Sequence, residues 1–441
     1  MPTAHETLKI EYNICPPDCR LCEEACAEEK GNGMLSLSRI KPVHAPQVKF
    51  NGALSCIQCG RPKCLEVCPV GAITKNLDSG VVTIDESRCV GCGLCTLACP
   101  YGAIYYDSQK QQSFKCDLCG GEPKCVKACP YHLITHVKNQ PLLELLHEDV
   151  MVSGTSACRG CPAELAMRFT LRILGKDTVI FTAPGCAIAF VMGFGNQANA
   201  LIPQYTCLLN NTAASMTGVY RYFRSIGKKT KIVSFVGDGA TVDIGFQALS
   251  GAAERGENII YICYDNEGYM NTGVQRSGST PYGARTYTSP VGKETHGKEQ
   301  TGKNLPLLML FHGIPYVATA SISHPEDYAK KLVKAMNVKD GMSYLHLFSP
   351  CNTGWGIPED QGIEVSRLAV ETNYFPLWEA EHGKVCLTHE VADPKPIEDY
   401  TSSMSKYSHL NEKDIDKIQQ IVNDRYNLIK GLATSGILCK P

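Results

Sequence analysis

Charge of a dominant sign is missing from this chain. Its 441 residues hold 43 lysines and arginines against 44 acidic residues, and residues 1–140 alone hold 15 against 14. Neither half is the polyelectrolyte that DNA, RNA or an anionic membrane would attract, so no nucleic-acid partner is expected. No run of 18 apolar residues occurs, so no membrane span is expected. The opening Met1-Pro-Thr-Ala-His-Glu6 has no basic stretch leading into an apolar one, so no secretory leader is expected either. These absences together predict a soluble, cytoplasmic protein. The 12 histidines form no paired motif, and none is assigned to metal.

Cysteine is abundant instead. Disulfides suit small secreted scaffolds, whereas a chain this long can build two or three apolar cores without them. Of 24 cysteines, 16 lie before residue 130 in four groups of four: Cys15, Cys19, Cys22, Cys26; Cys56, Cys59, Cys64, Cys68; Cys89, Cys92, Cys95, Cys99; and Cys116, Cys119, Cys125, Cys129. Pro69, Pro100 and Pro130 follow the last three groups, and the third has the bacterial ferredoxin spacing. Zinc is the competing reading, because Cys₄ sites also use Cys-x₂-Cys pairs. Four successive quartets, mostly ending in Cys-Pro, favour [4Fe-4S] clusters. In such a quartet three close thiolates hold three corners of a cube, and the fourth, starting a short helix, reaches a neighbouring cube.

The second half is organised around Gly237-Asp238-Gly239. The apolar run Ile232–Val236 predicts a buried strand, and Ile244–Ala253 a following helix. Glycines at such a turn let backbone N–H groups approach a diphosphate. A second strand, Asn258–Asp265, ends at Asn266, so Asp238 and Asn266 would bring two oxygens to a hard cation that also binds the phosphates, which suits Mg²⁺. The alternative is an ordinary strand, turn and helix with a surface Asp.

Asp238, Asn266 and the segment Tyr269-Met-Asn-Thr-Gly-Val-Gln-Arg276 resemble the thiamine diphosphate motif of 2-oxoacid:ferredoxin oxidoreductase β subunits, over about residues 157–410. The resemblance implies that Gly237, Asp238, Gly239, Asn266, Gly268, Asn271 and Thr272 bind thiamine diphosphate and its Mg²⁺. Gly268 would give a backbone carbonyl, and Asn271 a catalytic amide over the reacting carbon. It also implies a proximal [4Fe-4S] cluster on Cys158, Cys161, Cys186 and Cys351, although the family often has Gly where this chain has Pro162. Residues 1–140 resemble the four-cluster subunits of other redox enzymes. That implies exchange of fourth ligands: Cys99 joins Cys56, Cys59 and Cys64, and Cys68 joins Cys89, Cys92 and Cys95, while Cys129 and Cys26 swap between the outer groups. The total is five clusters. Cys207, Cys263, Cys386 and Cys439 have no partner spacing, and Cys263 is expected to be buried in a strand.

The expected fold is α/β: a small α+β ferredoxin-like domain over 1–140, a linker over 141–156, and a thiamine-diphosphate-binding domain over 157–441. Strands alternating with helices predict a mostly parallel sheet covered on both faces. Expected details are a hairpin at Gly80–Asp85, a helix after Cys161 facing inward through Leu165, Phe169 and Ile173, and helix Leu305–Gly313. Strands are expected at 316–319 and 344–348, with a capping box at Ser323–Glu326 between them. The stretch 275–303 is expected to be a functional loop, and the helix from Glu412 to pack through Ile415, Ile418, Val422 and Ile429.

The implied reaction is oxidative decarboxylation of a 2-oxo acid to CO₂ and an acyl group taken by coenzyme A, with the electron pair leaving singly through the clusters to ferredoxin or NAD. Nothing here resembles the domain that carries the family's aminopyrimidine-side glutamate. An α subunit is therefore implied, together with a γ subunit and a further electron-transfer or flavoprotein subunit. Four clusters fused to the β subunit resemble phenylglyoxylate dehydrogenase, which favours phenylglyoxylate as substrate, while Asp393-Pro-Lys-Pro396 is closer to the pyruvate branch. From another class, the chain could be an electron-transfer subunit whose thiamine fold is inactive.

Overall fold

The computed structural model describes residues 6–12, 15–48, 50–60, 62–138, 142–192 and 198–436. Residue 141 of the expected linker, residues 139 and 140 before it, and Cys439 lie outside them. The chain divides into two units, Met1–Leu145 and Leu146–Pro441.

Among the described residues the first unit has eight short strands: β1 (Glu6–Ile10), β2 (Ile40–Ala45), β3 (Phe50–Ser55), β4 (Ile73–Lys75), β5 (Val82–Ile84), β6 (Ile104–Asp107), β7 (Gln112–Lys115) and β8 (Ile134–Lys138). They pair antiparallel as β1 with β8, β2 with β3, β4 with β5, and β6 with β7. Gly80, expected to open a strand, is instead in the turn, with φ +70° and its N–H donated to Asn76 O at 2.9 Å.

Ribbons this short bury little by themselves, and the core is built on cysteine. Cys22, Cys26, Cys56, Cys116 and Cys125 pack with Leu8, Ile40, Leu118 and Ile134, while Cys64 and Cys95 pack with Ile73, Val82 and Ile104. A core of this composition depends on whatever the thiols bind. The third cysteine of groups two to four lies in a short helix (Lys63–Glu66, Leu94–Ala98 or Lys124–Ala128), and the fourth follows its C-terminal end. The fourth therefore ends a helix where the sequence suggested that it starts one. In the first group, helix Leu21–Lys30 carries both Cys22 and Cys26.

The second unit contains an eight-stranded sheet built from β9 (Thr178–Thr182), β10 (Gln204–Thr206), β11 (Lys231–Gly237), β12 (Ile260–Asp265), β13 (Tyr316–Ser321), β14 (Ser343–Phe348), β15 (Leu377–Glu381) and β16 (Lys384–His389), in the order β10-β9-β11-β12-β14-β13-β15-β16. The first six strands are parallel, and β15 and β16 add antiparallel. β12, β13 and β14 are buried at every position, as apolar runs covered on both faces should be. One face packs Val236, Tyr261, Cys263 and Tyr344 under helices bearing Met216, Leu249 and Met309. Phe190, on helix Cys186–Val191, lies against Phe235 and Tyr264 of the other face.

Several local expectations are corrected. Leu165 is exposed, and helix Pro162–Leu174 instead buries Ala163, Ala166, Met167, Thr170, Leu171, Ile173 and Leu174. The capping box at Ser323 does not form: Pro325 is the first helical residue, which makes His324 the N-cap, and Ser323 Oγ bonds Ser321 and His324 instead. A capping box is found at Asn411 and Asp414, at the start of helix Glu412–Ser435, which buries Ile418, Val422 and Ile429. Residues 146–156, expected as linker, belong to the second unit, where Val150 and Met151 are buried and the Val152 N–H donates to Asn199 O. Among the described residues no helix is long and apolar enough to cross a membrane.

Candidate cofactor site and cysteine groups

The site lies at the carboxyl ends of β11 and β12, where open parallel sheets place their ligands. The chain leaves β11 at Gly237 and enters a π-turn, Gly239–Asp243, before helix Phe246–Glu254, so helical backbone begins earlier than Ile244. A Cβ on Gly239 would lie 2.3 Å from the Tyr269 ring, whose hydroxyl donates to Gly239 O at 3.0 Å. This glycine thus makes room for Tyr269 of the same motif. Gly245, which the sequence reading passed over, is equally constrained: a Cβ there would lie 2.0 Å from Ala240 O.

Asp238 is 1% exposed. Ser277 Oγ donates to its Oδ2, and Oδ1 lies 3.0 Å from the Asn266 amide, which is also 2.9 Å from Gly268 O. The amide nitrogen can satisfy both acceptors; turned over, its oxygen completes a triangle with them and stands near 3 Å from each. Ligands at ~2.1 Å in octahedral geometry stand about 3 Å apart along an edge, so those two spacings suit neighbouring ligands in a Mg²⁺ shell. Burial pushes the Asp238 carboxyl well above the carboxylate range, and the nearby Asp265 charge adds to this. A bound cation would reverse that balance.

The strand end is held from below. His346 Nε2 is 2.8 Å from Asp265 Oδ2, and Tyr344 Oη is 2.7 Å from His346 Nδ1. Glu267, at φ +65°, is paired with buried Lys406 and accepts from Tyr374. Trp355 Nε1–H donates to Asn266 O at 2.9 Å, which fixes the backbone of the candidate ligand. The stretch 275–303 is an ordered wall: Ser277, Ser279 and Thr280 are buried, and Thr280 Oγ1 donates to Glu267 O at 2.6 Å. Asn271 and Thr272 are exposed at the mouth of a cavity lined by Gly185, Cys186, Gly237, Asp238 and Asn266. The Asn271 side chain makes no hydrogen bond to a described residue.

Cys186 opens its helix on that cavity wall. Burial pushes its thiol up to about 12, and the charges of Cys351, Cys161, Cys158 and Asp238 contribute. The same neighbours act on Cys351, pushed up to about 11 by burial, Cys161 and Cys158. The Cys158–Cys161 pair, Cys186 and Cys351, from three distant parts of the chain, thus lie near enough to act on one another's charge, and Cys186 lies beside Asp238. Pro162 fits as the first residue of the helix after Cys161, a position that proline favours. Gly160, at φ +64°, seats the Cys158–Cys161 turn against Glu359, where a Cβ would lie 1.7 Å from a carbonyl oxygen.

In the first unit burial raises Cys22 to about 12, with Cys15, Cys19 and Cys129 as neighbouring charges. Cys125 is raised by burial and then by Cys116, Cys26 and Cys119. Cys59 is raised by burial, Cys56 and Cys99, and Cys64 by burial to about 11, with Cys56 and Cys59 adjacent. Cys68, Cys89, Cys92 and Cys95 line one small cavity. Each group's fourth cysteine thus stands with another group. All described cysteines are free thiols, with Cys207 and Cys263 buried and Cys386 exposed. Among the described residues no three Cys, His, Asp or Glu side chains converge closely enough for a single metal ion.

Residues 185–347 match the family model of the C-terminal TPP-binding domain of thiamine pyrophosphate enzymes, and residues 49–139 match a 4Fe-4S dicluster domain. Fold and site thus define a thiamine-diphosphate-binding oxidoreductase subunit that carries its own iron-sulfur unit. The β subunit of NADH-dependent phenylglyoxylate dehydrogenase from Aromatoleum evansii is 42% identical over 98% of both chains. Pyruvate synthase subunit PorB from Methanothermobacter marburgensis is 46% identical over 64% of this chain and 97% of its own. Ketoisovalerate oxidoreductase subunit VorB from Pyrococcus furiosus is 40% identical over 65% and 94%. The chain belongs to the family of 2-oxoacid oxidoreductase β subunits.

Proposed function

We propose that this chain is the β subunit of a coenzyme-A-acylating phenylglyoxylate oxidoreductase with Mg²⁺ and five [4Fe-4S] clusters. The observation that supports the reading is the shared cavity of Asp238 and Cys186: the proposed cation ligand and a proposed cluster ligand lie in one wall. Thiamine diphosphate, when bound, supplies the carbon nucleophile that the cleavage of a 2-oxo acid requires. The chain's residues do the rest. Asp238, Asn266 and Gly268 O hold the cation, and Ser277 keeps Asp238 Oδ1 turned toward it. Asn271, whose amide is unengaged at the mouth, orients the substrate's oxygen. Cys158, Cys161, Cys186 and Cys351 would hold a proximal cluster, which would supply a one-electron acceptor, and the four N-terminal sets would hold four further clusters. An adjacent acceptor of this kind would favour the reading over a non-redox decarboxylase, and the presence of Asp238, Asn266 and Gly268 together supports it over an inactive thiamine fold.

Similarity along the whole chain, the iron-sulfur unit included, to the β subunit of an NADH-dependent phenylglyoxylate dehydrogenase supports phenylglyoxylate as substrate and NAD as acceptor; a flavoprotein subunit linking the clusters to NAD is part of the proposal. Pyruvate, with ferredoxin as acceptor, is the second reading, supported by the 46% identity of the thiamine portion. An α subunit closing the cofactor with a glutamate, and a γ subunit, complete the assembly.

Assay of the complex purified under anaerobic conditions, with coenzyme A and each of phenylglyoxylate, pyruvate, 2-ketoisovalerate and 2-oxoglutarate, tests the substrate. The expected result is at least ~10-fold higher kcat/KM for phenylglyoxylate, equal to about 1.4 kcal/mol of transition-state preference. A preference for pyruvate would overturn the aryl assignment and leave the reaction class standing.

A further inference from the structure

Strand β7 ends in a lysine that points inward. Lys115 is 2% exposed. Its Nζ donates to Cys116 O at 2.8 Å, to Gln58 Oε1 at 3.2 Å and to Val82 O. Three acceptors match the three N–H bonds of an ammonium, where a neutral amine has two. All three are uncharged oxygens, and Lys115 forms no ion pair among the described residues. Lys331 and Lys406, equally buried, each have a carboxylate partner. Lys298, held by carbonyls, is pushed down by burial to about 8.

An uncompensated buried cation is costly unless negative charge lies close by. Around Lys115 the candidates are cysteines. Gln58, between Cys56 and Cys59, adopts φ +54°, takes the Val82 N–H at 2.9 Å and gives its own Nε2–H to Cys116 O at 2.9 Å. This clamp holds the ammonium against the backbone of Cys116 and the loop that joins Cys56 to Cys59. The Lys115 charge acts in the lowering direction on Cys64, Cys59 and Cys116, against the burial that raises all three.

We propose that Lys115 is a fixed countercharge of the iron-sulfur unit, raising the reduction potential of the cluster held by Cys56, Cys59, Cys64 and Cys99 so that an electron entering the unit collects there. The inference rests on the cluster reading above. One electron, released by oxidation of the 2-oxo acid, makes the cluster one unit more negative. A buried ammonium stabilises that form more than the oxidised one.

The test is an anaerobic redox titration of the whole complex, followed by electron paramagnetic resonance, with Lys115→Gln, Lys115→Met and Gln58→Glu beside wild type. Lys115→Gln keeps a donor and removes the charge, while Gln58→Glu keeps the lysine and gives it a counterion. Each should retain full iron and sulfide and lower the midpoint of one cluster. At a fixed solution potential its reduced-to-oxidised ratio should fall at least tenfold, which is about 59 mV for a one-electron centre. Full iron with unchanged midpoints in the lysine variants would overturn the inference. If those variants lose iron, an unchanged midpoint in Gln58→Glu would overturn it. Absence of sulfide from the wild-type complex would instead overturn the cluster reading.

Discussion

Asp238→Ala is expected to abolish Mg²⁺-dependent retention of thiamine diphosphate while iron content stays near that of wild type. The separation of effects follows from where the carboxylate sits. Oδ1 is a corner of the oxygen triangle with Asn266 and Gly268, and neither the Asn266 amide nor the Gly268 carbonyl carries a formal charge to hold a divalent ion without it. Without a cation, burial and the nearby Asp265 charge disfavour the charged form of this carboxylate, so its removal is expected to empty the cofactor site rather than the cluster sites. Ser277→Ala leaves the ligand but frees its other oxygen, which should weaken Mg²⁺ binding by ~10–100-fold, the usual effect of removing a group that orients a ligand. Loss of Asp238 should exceed that range. Equilibrium dialysis of the cofactor against increasing Mg²⁺, with iron analysis of the same samples, measures both. A variant that retains cofactor, or one that sheds iron instead, would place the cation elsewhere.

Cys186→Ala is expected to remove the substrate-reducible proximal cluster and to slow the arrival of electrons at the N-terminal clusters. Cys186 is the member of its set that lines the cavity with Asp238, so of the four proposed ligands it is the one on the wall of the cofactor site. The thiols of Cys158, Cys161 and Cys351 would remain, and three thiolates support at most an incomplete or labile cube. Chemical reduction by dithionite should still reach the N-terminal clusters, while reduction by 2-oxo acid and coenzyme A should lose its fast phase. Stopped-flow absorbance near the iron-sulfur band distinguishes the two routes. Unchanged kinetics with substrate would remove Cys186 from the electron path.

Much of this was legible in the sequence because iron-sulfur and cation sites need fixed residue types at short spacings. The cysteine groups, Gly237-Asp238-Gly239 and the Asp265-Asn266 strand end are local patterns, and the buried strands advertise themselves as unbroken apolar runs. The illegible features depend on partners far along the chain. Ser277 reaches across 39 positions to Asp238, Trp355 across 89 to the Asn266 backbone, and Lys115 across 57 to Gln58. Before folding, Lys115 is one more basic residue beside a cysteine. Helical spacing misassigned Leu165 because small residues, Ala163 and Ala166, face the core of that helix and leave the larger leucine to solvent. Ser323–Glu326 has the composition of a capping box, but Pro325 has no N–H and starts the helix itself, which shifts the cap to His324. Gly239 was legible as a constrained glycine, while the constraint, the ring of Tyr269, belonged to a motif 30 positions away.

The central claim is that one polypeptide carries both the thiamine cofactor's cation site and the clusters that drain electrons from it. Iron, acid-labile sulfide, zinc and thiamine in the anaerobically purified complex, counted per copy of this chain, test it most directly. The account predicts at least about 20 iron atoms with matching sulfide for five four-iron clusters, and one thiamine diphosphate. About four zinc atoms, one for each N-terminal quartet, with no sulfide would contradict it.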